Sequence, residues 1–269
     1  MNVSNRVAVI TGAGSGIGRA TALALARRSC HLALADIDAE GLKETAWMLG
    51  SQGVRVTTHV IDVADREAVR ALPDEVHAAH GRIDILMNNA GVALGGTFEQ
   101  VSESDFEWLM DINFNGVVRM TRAFLPWLRR SDDARVVNVS SIYGIVSPPG
   151  QAAYSASKFA VRGFSNALRH ELEGSSVGVS VVHPGGVATA IARKARVPTG
   201  APPEDIERGR MIAEKLLRLA PDAAGEIIAR GIERRDARIL VGSDAKAVSI
   251  LERIAPVSYW RYLKKATSR

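Results

Sequence analysis

The sequence predicts an α/β fold, a doubly wound sheet of about seven parallel strands with helices on both faces. Short apolar runs alternate with longer amphipathic stretches, as repeated β-α-β units require. Several of the short runs are almost wholly apolar, the composition of strands covered on both faces. The first run also feeds a glycine-dense turn that opens a helical pattern. Strands are expected at 7–10, 31–35, 54–60, 83–87, 135–139, 177–182 and 239–241. Helices are expected at 17–28, 39–50, 66–79, 103–130, 153–173 and 223–233. Asp65 is placed to cap the third helix, and Ser102 with Asp105 resembles a capping box for the fourth. Pro126, late in that fourth helix, is expected to bend or shorten it.

No repeat, low-complexity tract or linker interrupts the 269 residues, which read as one domain. The stretch 190–221, polar and rich in Arg, Gly and Pro, is expected to form a lid beside a binding cleft. Hydrophobic residues make up 46% and charged residues 23%, ordinary values for a globular chain. Cys30 is the single cysteine, so an internal disulfide and a cysteine-based zinc cluster are excluded, which fits a reducing cytoplasm. The first residues read as a strand, not a signal peptide, and no run approaches the ~18 apolar residues of a membrane span. A net charge of +5 raises the question of nucleic acid, but the basic residues are interleaved with acids. The densest groups, Arg193, Lys194 and Arg196 and the tail 261–269, read as solvated surface. Tyr259, Trp260, Tyr262 and Leu263 fit a subunit or core contact better than a membrane. His77 and His80 lack a third ligand nearby, so no metal is expected.

After the first strand the chain reads Thr11, Gly12, Ala13, Gly14, Ser15, Gly16, Ile17, Gly18, with the spacing Gly-x-x-x-Gly-x-Gly. Glycines between a strand and a helix let backbone N–H groups and the helix dipole face a pyrophosphate that side chains would hold away. Asp36 closes the second strand about 20 residues later, where a carboxylate can accept both ribose hydroxyls of an adenosine. The bare alternative is a strand-end aspartate that caps the following turn. The negative charge repels a 2′-phosphate and no Arg or Lys follows it, so NAD is expected over NADP. Arg19 either reaches a phosphate or faces solvent.

Tyr154 and Lys158 stand four residues apart, slightly more than one helical turn, and project from one face. A free tyrosine is a poor base at neutral pH. An ammonium beside it, together with the positive ring of an oxidised nicotinamide, lowers the phenol pKa and equips it for proton transfer. Taken bare, such a pair is ordinary helix surface.

Wider context reverses that reading. Thr11, Gly12, Gly16 and Gly18, then Asn88-Asn89-Ala90-Gly91, Ser141, Tyr154 with Lys158, and Pro184-Gly185 occur in this order. The set resembles the short-chain dehydrogenase/reductase family over about residues 6–189. The resemblance implies a Rossmann-type fold and a metal-free exchange between a secondary alcohol and a ketone. It implies that Asn113, Ser141, Tyr154 and Lys158 form the reacting tetrad. Ser141 lies thirteen positions before Tyr154, the family's spacing, which favours it over Ser140. Asn113, followed by Gly116 three positions on, fits better than Asn115. The cofactor residues so implied are Gly12, Ser15, Gly16, Ile17 and Gly18 at the phosphates, and Asp36, Ile37, Asp62 and Val63 at the adenosine. Asn89, Ala90 and Gly91 border the cofactor or brace the sheet. Lys158 holds the nicotinamide ribose, and Pro184, Gly185, Val187 and Thr189 line the carboxamide. His183 beside them either touches cofactor or packs. The substrate is expected to be a small, mainly apolar alcohol or ketone held by 92–96, 142–151 and the lid, with Ile142, Tyr143, Ile145, Val146 and Ile191 on offer. A 3-oxoacyl thioester reductase, whose acidic carrier would meet Arg193, Lys194 and Arg196, and a non-catalytic nucleotide sensor are the alternatives. The family also implies a homotetramer or homodimer built on the fourth and fifth helices.

Overall fold

The structure, a computed structural model, describes residues 1–267; the side chains of 203, 205, 208, 213, 214 and 265–267 lie outside that description, as do Ser268 and Arg269 of the basic tail. The expected parallel sheet is present. Its strands are β1 (Val7–Thr11), β2 (His31–Asp36), β3 (Val56–Val60), β4 (Ile85–Asn88), β5 (Ala134–Val139), β6 (Val177–Pro184) and β7 (Arg238–Val241). They run in the order β3-β2-β1-β4-β5-β6-β7, and every neighbouring pair is parallel. The direction of winding reverses between β1 and β4, where open sheets of this kind bind ligands beyond the carboxyl ends of the strands.

Alternate side chains serve opposite faces. Ala8 and Ile10 join the core beneath α1 (Gly16–Ala26), α2 (Ala39–Leu49) and α8 (Pro221–Glu233). Val7 and Val9 join the core beneath α3 (Arg66–His80), α5 (Gly116–Leu128) and α6 (Ala152–Glu171). Asp65 caps α3 by accepting from Glu67 N and Ala68 N, and Ser102 caps α4 (Glu103–Met110) by accepting from Asp105 N.

The predicted helix 103–130 is not continuous. Between α4 and α5 lies a π-helical turn, Asp111–Asn115, that carries Asn113. The helix continues two residues past Pro126 to Leu128, so the proline falls in its last turn. The stretch 190–221 contains α7 (Pro203–Leu216). Two further helices follow β7, α9 (Ser243–Ile254) and α10 (Tyr259–Thr267), where no helix was expected. Tyr259 and Leu263 pack against the buried cluster of Ile145, Val146 and Val248, the second of the two contacts, subunit or core, expected of the aromatic tail. This corrects the pocket assignment of Ile145 and Val146: each is 1% exposed and turned into the core against α9. No helix among the described residues is long and apolar enough to cross a membrane.

Candidate active site

The glycine turn after β1 lacks side chains where the backbone packs most closely. Gly12 has φ +65°, and a Cβ there would stand 2.7 Å from Asn89 Nδ2. A Cβ on Gly18 would stand 2.1 Å from the Gly12 carbonyl oxygen. Ser15 is the exposed residue before α1 and places no side-chain bond on the helix end, so the first N–H groups of α1 face the cleft. Ile17 turns to the core. Just past β4, Asn89 Nδ2 donates to Thr11 O at 2.9 Å and Gly12 O at 3.1 Å, while Asn88, the last residue of β4, bonds Thr121 and Asn138 within the core. Asn88 therefore braces the sheet, and Asn89 braces the turn. Ala90 N joins this bracing by donating to Thr11 Oγ1.

Asp36 takes the turn-capping role that its sequence position allowed. One carboxylate oxygen accepts from Gly14 N at 2.8 Å and the other from Asp38 N at 3.0 Å, so it caps the next turn and ties it to the glycines. Ile37 beside it is 68% exposed. The Arg19 guanidinium bonds the Gly14 carbonyl, Thr45 Oγ1 and Glu44. Asp62 accepts from Ala64 N at 2.8 Å, and Val63 is buried against Gly116. On the other side of the cleft, Gly185 N donates to Val241 O, Val187 is buried, and the Thr189 methyl lies 3.1 Å from where a Cβ on Gly16 would be. Pro184 ends β6 at the same rim.

The four residues that the resemblance named as reacting groups lie beyond the carboxyl ends of β4 and β5. Asn113, fully buried, clamps Val92 with two bonds: its Oδ1 accepts from Val92 N at 2.8 Å and its Nδ2 donates to Val92 O at 3.0 Å. The same Nδ2 donates to Ser157 Oγ at 3.2 Å, and Ser157 in turn donates to the Tyr154 carbonyl at 2.8 Å. Lys158, 4% exposed, donates to the Val139 carbonyl at 3.2 Å and stands 5.6 Å from the centre of the Tyr154 ring. Gly91 lies between them; a Cβ there would be 3.1 Å from Asn113 Oδ1 and 3.5 Å from Lys158 Nζ. Tyr143 meets Tyr154 edge-on, with ring centres 6.0 Å apart.

Burial governs the electrostatics of the Tyr154–Lys158 pair within the protein. Burial pushes the Tyr154 phenol up to about 12, with a hydrogen bond from Ser141 working against the rise and Tyr143 adding to it. Burial also brings the Lys158 ammonium down to about 8. Lys158 thus sits against the ring face and a carbonyl, and the protein alone keeps Tyr154 as a neutral phenol. Desolvation disfavours whichever form is charged, and it outweighs an ammonium that does not touch the phenol oxygen.

Four further residues contribute: Ser157 and Asp244 escaped the sequence reading, while Tyr143 and His183, named there, gain definite contacts. Ser157 links the Asn113 clamp to the first turn of α6. Tyr143 forms a wall against Tyr154. His183, fully buried, has its Nδ1 2.9 Å from the Ser141 carbonyl, so Nδ1 carries the proton and donates. Burial holds its pKa down to about 4, with Arg238 and Arg162 adding to the drop, and its Nε2 has no partner. His183 packs in the interior and positions Ser141. Asp244 is the fourth, accepting from Gly186 N at 2.6 Å behind Gly185. The remaining serine candidate, Ser140, donates to the Lys158 carbonyl and is 3% exposed, so it is a bracing residue. His77 stacks on Trp127 and His80 bonds Thr57, so the two imidazoles turn to different partners.

The sequence pattern of the family described as short chain dehydrogenase matches residues 6–199. The chain belongs to the short-chain dehydrogenase/reductase family. It is an oxidoreductase acting on CH–OH donors, and a nicotinamide cofactor goes with that family. A Mycobacterium tuberculosis relative named as an oxidoreductase, SadH, is 44% identical over 267 residues, which cover 98% of this chain and 96% of that one. A short-chain dehydrogenase/reductase of Burkholderia phymatum solved with NAD matches at TM-score 0.87, with 32% identity over 95% of each chain. An alcohol dehydrogenase of Thermococcus sibiricus solved with 5-hydroxy-NADP matches at TM-score 0.74 and 30% identity, covering 88% of this chain and 94% of that one.

Proposed function

We propose that this protein is an NAD(H)-dependent oxidoreductase that interconverts a secondary alcohol and a ketone, with Tyr154 as general acid and base. The observation that carries the reading is the chain of contacts from Asn113 and Lys158 at Gly91 to the Tyr154 ring beside Lys158 and on to Ser141, hydrogen-bonded to Tyr154, next to a glycine turn with no room for a Cβ. Hydride is the chemistry a bound nicotinamide supplies there. The phosphates fit Gly12, Ser15, Gly16, Ile17 and Gly18, where N–H groups are open to the cleft. The adenosine fits Asp36, Ile37, Asp62 and Val63, and the nicotinamide end fits Asn89 to Gly91, Lys158, Pro184, Gly185, Val187 and Thr189.

In the reducing direction a neutral Tyr154 is the form required: its O–H donates to the ketone oxygen and passes the proton as negative charge builds there. The Ser141 hydroxyl donates to the same oxygen and stabilises the charge without losing its proton. Lys158 beside the ring favours the phenolate left behind, and the same groups run in reverse for oxidation. Asn113 and Ser157 hold the turn on which Tyr154 and Lys158 are mounted. NAD is favoured over NADP because the Asp36 carboxylate at the end of β2 would repel a 2′-phosphate and the exposed Ile37 supplies no compensating cation. An apolar substrate is supported by the cluster of Val92, Leu94, Phe106 and Trp108 that packs with Tyr154. Against an acidic carrier, the Arg196 guanidinium is already engaged by Asp105 and Trp108. Residence in the cytoplasm and a homotetramer or homodimer built through α5 and α6 belong to the same proposal.

The test is a screen of ketones with NADH, followed by absorbance, repeated with Tyr154→Phe. The variant should lose about a hundred- to ten-thousandfold in turnover, the usual worth of a placed proton donor, and bind NADH within about twofold of the parent. Equal turnover in the variant removes Tyr154 from the mechanism. Tight NADH binding with no turnover on a broad panel replaces the enzyme reading with a nucleotide sensor.

A further inference from the structure

We infer that Arg196 is a latch that closes the lid over the substrate side of the site and so sets how tightly an apolar substrate is held. The inference rests on the oxidoreductase reading above, but its geometry is independent of it. The segment after β6 returns to the loop that follows β4 as a short parallel bridge: Arg196 N donates to Ala93 O at 2.9 Å, and Gly95 N donates to Arg196 O at 3.2 Å. The neighbouring contact is equally close. Gly96 has φ +125°, and a Cβ there would stand 2.5 Å from the Pro198 ring, so only glycine lets the two segments meet.

The Arg196 side chain then crosses to α4. Its Nη1 donates to Asp105 Oδ1 at 2.7 Å, and its guanidinium lies 3.6 Å from the centre of the Trp108 ring. Asp105 is pre-set for this role. Ser102 Oγ donates to its other carboxylate oxygen at 2.9 Å, and Arg196 with Ser102 holds its pKa below the usual carboxylate range. An ion pair plus a stacked guanidinium on one planar fork is a contact that lysine cannot reproduce.

What the latch covers gives it consequence. Leu94, opposite Arg196 in the bridge, is 2% exposed and packs with Leu109, Phe106, Trp108 and Tyr154. One edge of this apolar wall is therefore the lid's docking site and the other is Tyr154 itself. Arg193 and Lys194, one turn before the latch, are exposed.

The test uses the full chain with two substitutions that break the latch from either side, Arg196→Met and Asp105→Asn, and with Arg196→Lys, which keeps charge but loses the planar stack. Trypsin cleavage after Arg193 and Lys194 should quicken about five- to thirtyfold in the first two, with thermal midpoints near the parent, and less in Arg196→Lys. On a ketone that the parent reduces, KM should rise about fivefold or more while kcat holds or increases. Unchanged cleavage and unchanged KM in both Arg196→Met and Asp105→Asn overturn the latch. Faster cleavage in a protein that turns over no ketone keeps the latch and overturns the enzyme reading, so the two failures are distinguishable. A fall in kcat with KM unchanged assigns Arg196 to the chemistry and overturns the latch as well.

Discussion

Replacing Asn113 with Ala removes three hydrogen bonds at one stroke, to Val92 N, Val92 O and Ser157 Oγ, from a side chain with no exposed surface. Each net bond is worth about 1 kcal/mol, and a buried amide left without a partner costs about 1–3 kcal/mol. The truncated side chain also leaves room for water, which recovers part of the loss, so a destabilisation of about 2–4 kcal/mol is expected. In a chain of this size that lowers the thermal midpoint by about 5–12 °C. Urea unfolding should show a lower midpoint with an unchanged slope. The released Val92 and Ser157 also free Gly91 and the first turn of α6, so kcat/KM should fall even at temperatures where the variant is folded. Asn113→Asp sharpens the test. It keeps an acceptor for Val92 N, loses both donations, and sets a carboxylate near Lys158, which should raise the lysine's pKa and move the alkaline limb of the rate profile upward. A stability change below about 0.5 kcal/mol in Asn113→Ala, with kcat/KM unaltered, refutes the clamp.

Substituting Asp36→Asn should lower the preference for NAD over NADP at least tenfold, about 1.4 kcal/mol, because it removes the charge that opposes a 2′-phosphate while keeping an acceptor for Gly14 N. An unchanged ratio of kcat/KM for the two cofactors shows that Asp36 does not select between them. The buried His183 makes stability sensitive to acid: its folded pKa of about 4 lies below the ordinary 6.5, so the unfolded chain takes up the proton first as pH falls. Stability is then full above pH 6.5 and lost between 6.5 and 4, by up to about 3 kcal/mol at 1.36 kcal/mol per unit. His80, whose pKa burial also lowers to about 4, adds to the same slope. His183→Asn should therefore flatten the denaturation midpoint against pH over this window without abolishing the slope, and an unflattened curve removes His183 as its source.

The parallel sheet was legible because its signals are local. Apolar runs such as Val7–Thr11 and Ala134–Val139 carry their own composition, and the glycine turn sits beside the strand it follows. The elements that escaped notice lack such signals. The π-helical turn at Asp111–Asn115 is held by Asn113 bonding Val92, 21 residues earlier, and the helical periodicity of 103–130 passes through it unbroken. Helix α9 starts at Gly242 with φ 104° and no side-chain cap, so its beginning has no sequence signature, and its buried face is only Ala245, Val248 and Ser249. The spacing of Tyr154 and Lys158 placed them on one face but not at one point. Burial, which spacing does not report, decides that the ammonium lies against the ring and that the phenol is raised.

That outcome bears on how such a site stays poised. Lys158 and Tyr154 are both deprived of water, and each is pushed towards its neutral form, the lysine by losing a proton and the tyrosine by keeping one. A pair of this kind is not made reactive by touching; it is made reactive by whatever adds charge or hydrogen bonds to the space between Gly91, Ser141 and the ring. The protein's part is to hold that space open at fixed dimensions. Asn113 does so from the π-helical turn, Ser157 from α6 and His183 from β6, each bonding backbone rather than a reacting group. Because α4 runs directly into the π-helical turn and also carries Asp105 and Trp108, the helix that anchors the lid is continuous with the turn that sets the floor of the site. Loosening the lid at Arg196 should therefore be felt at Val92 before it is felt at Tyr154, which is why its expected signature is in KM and not in the chemical step.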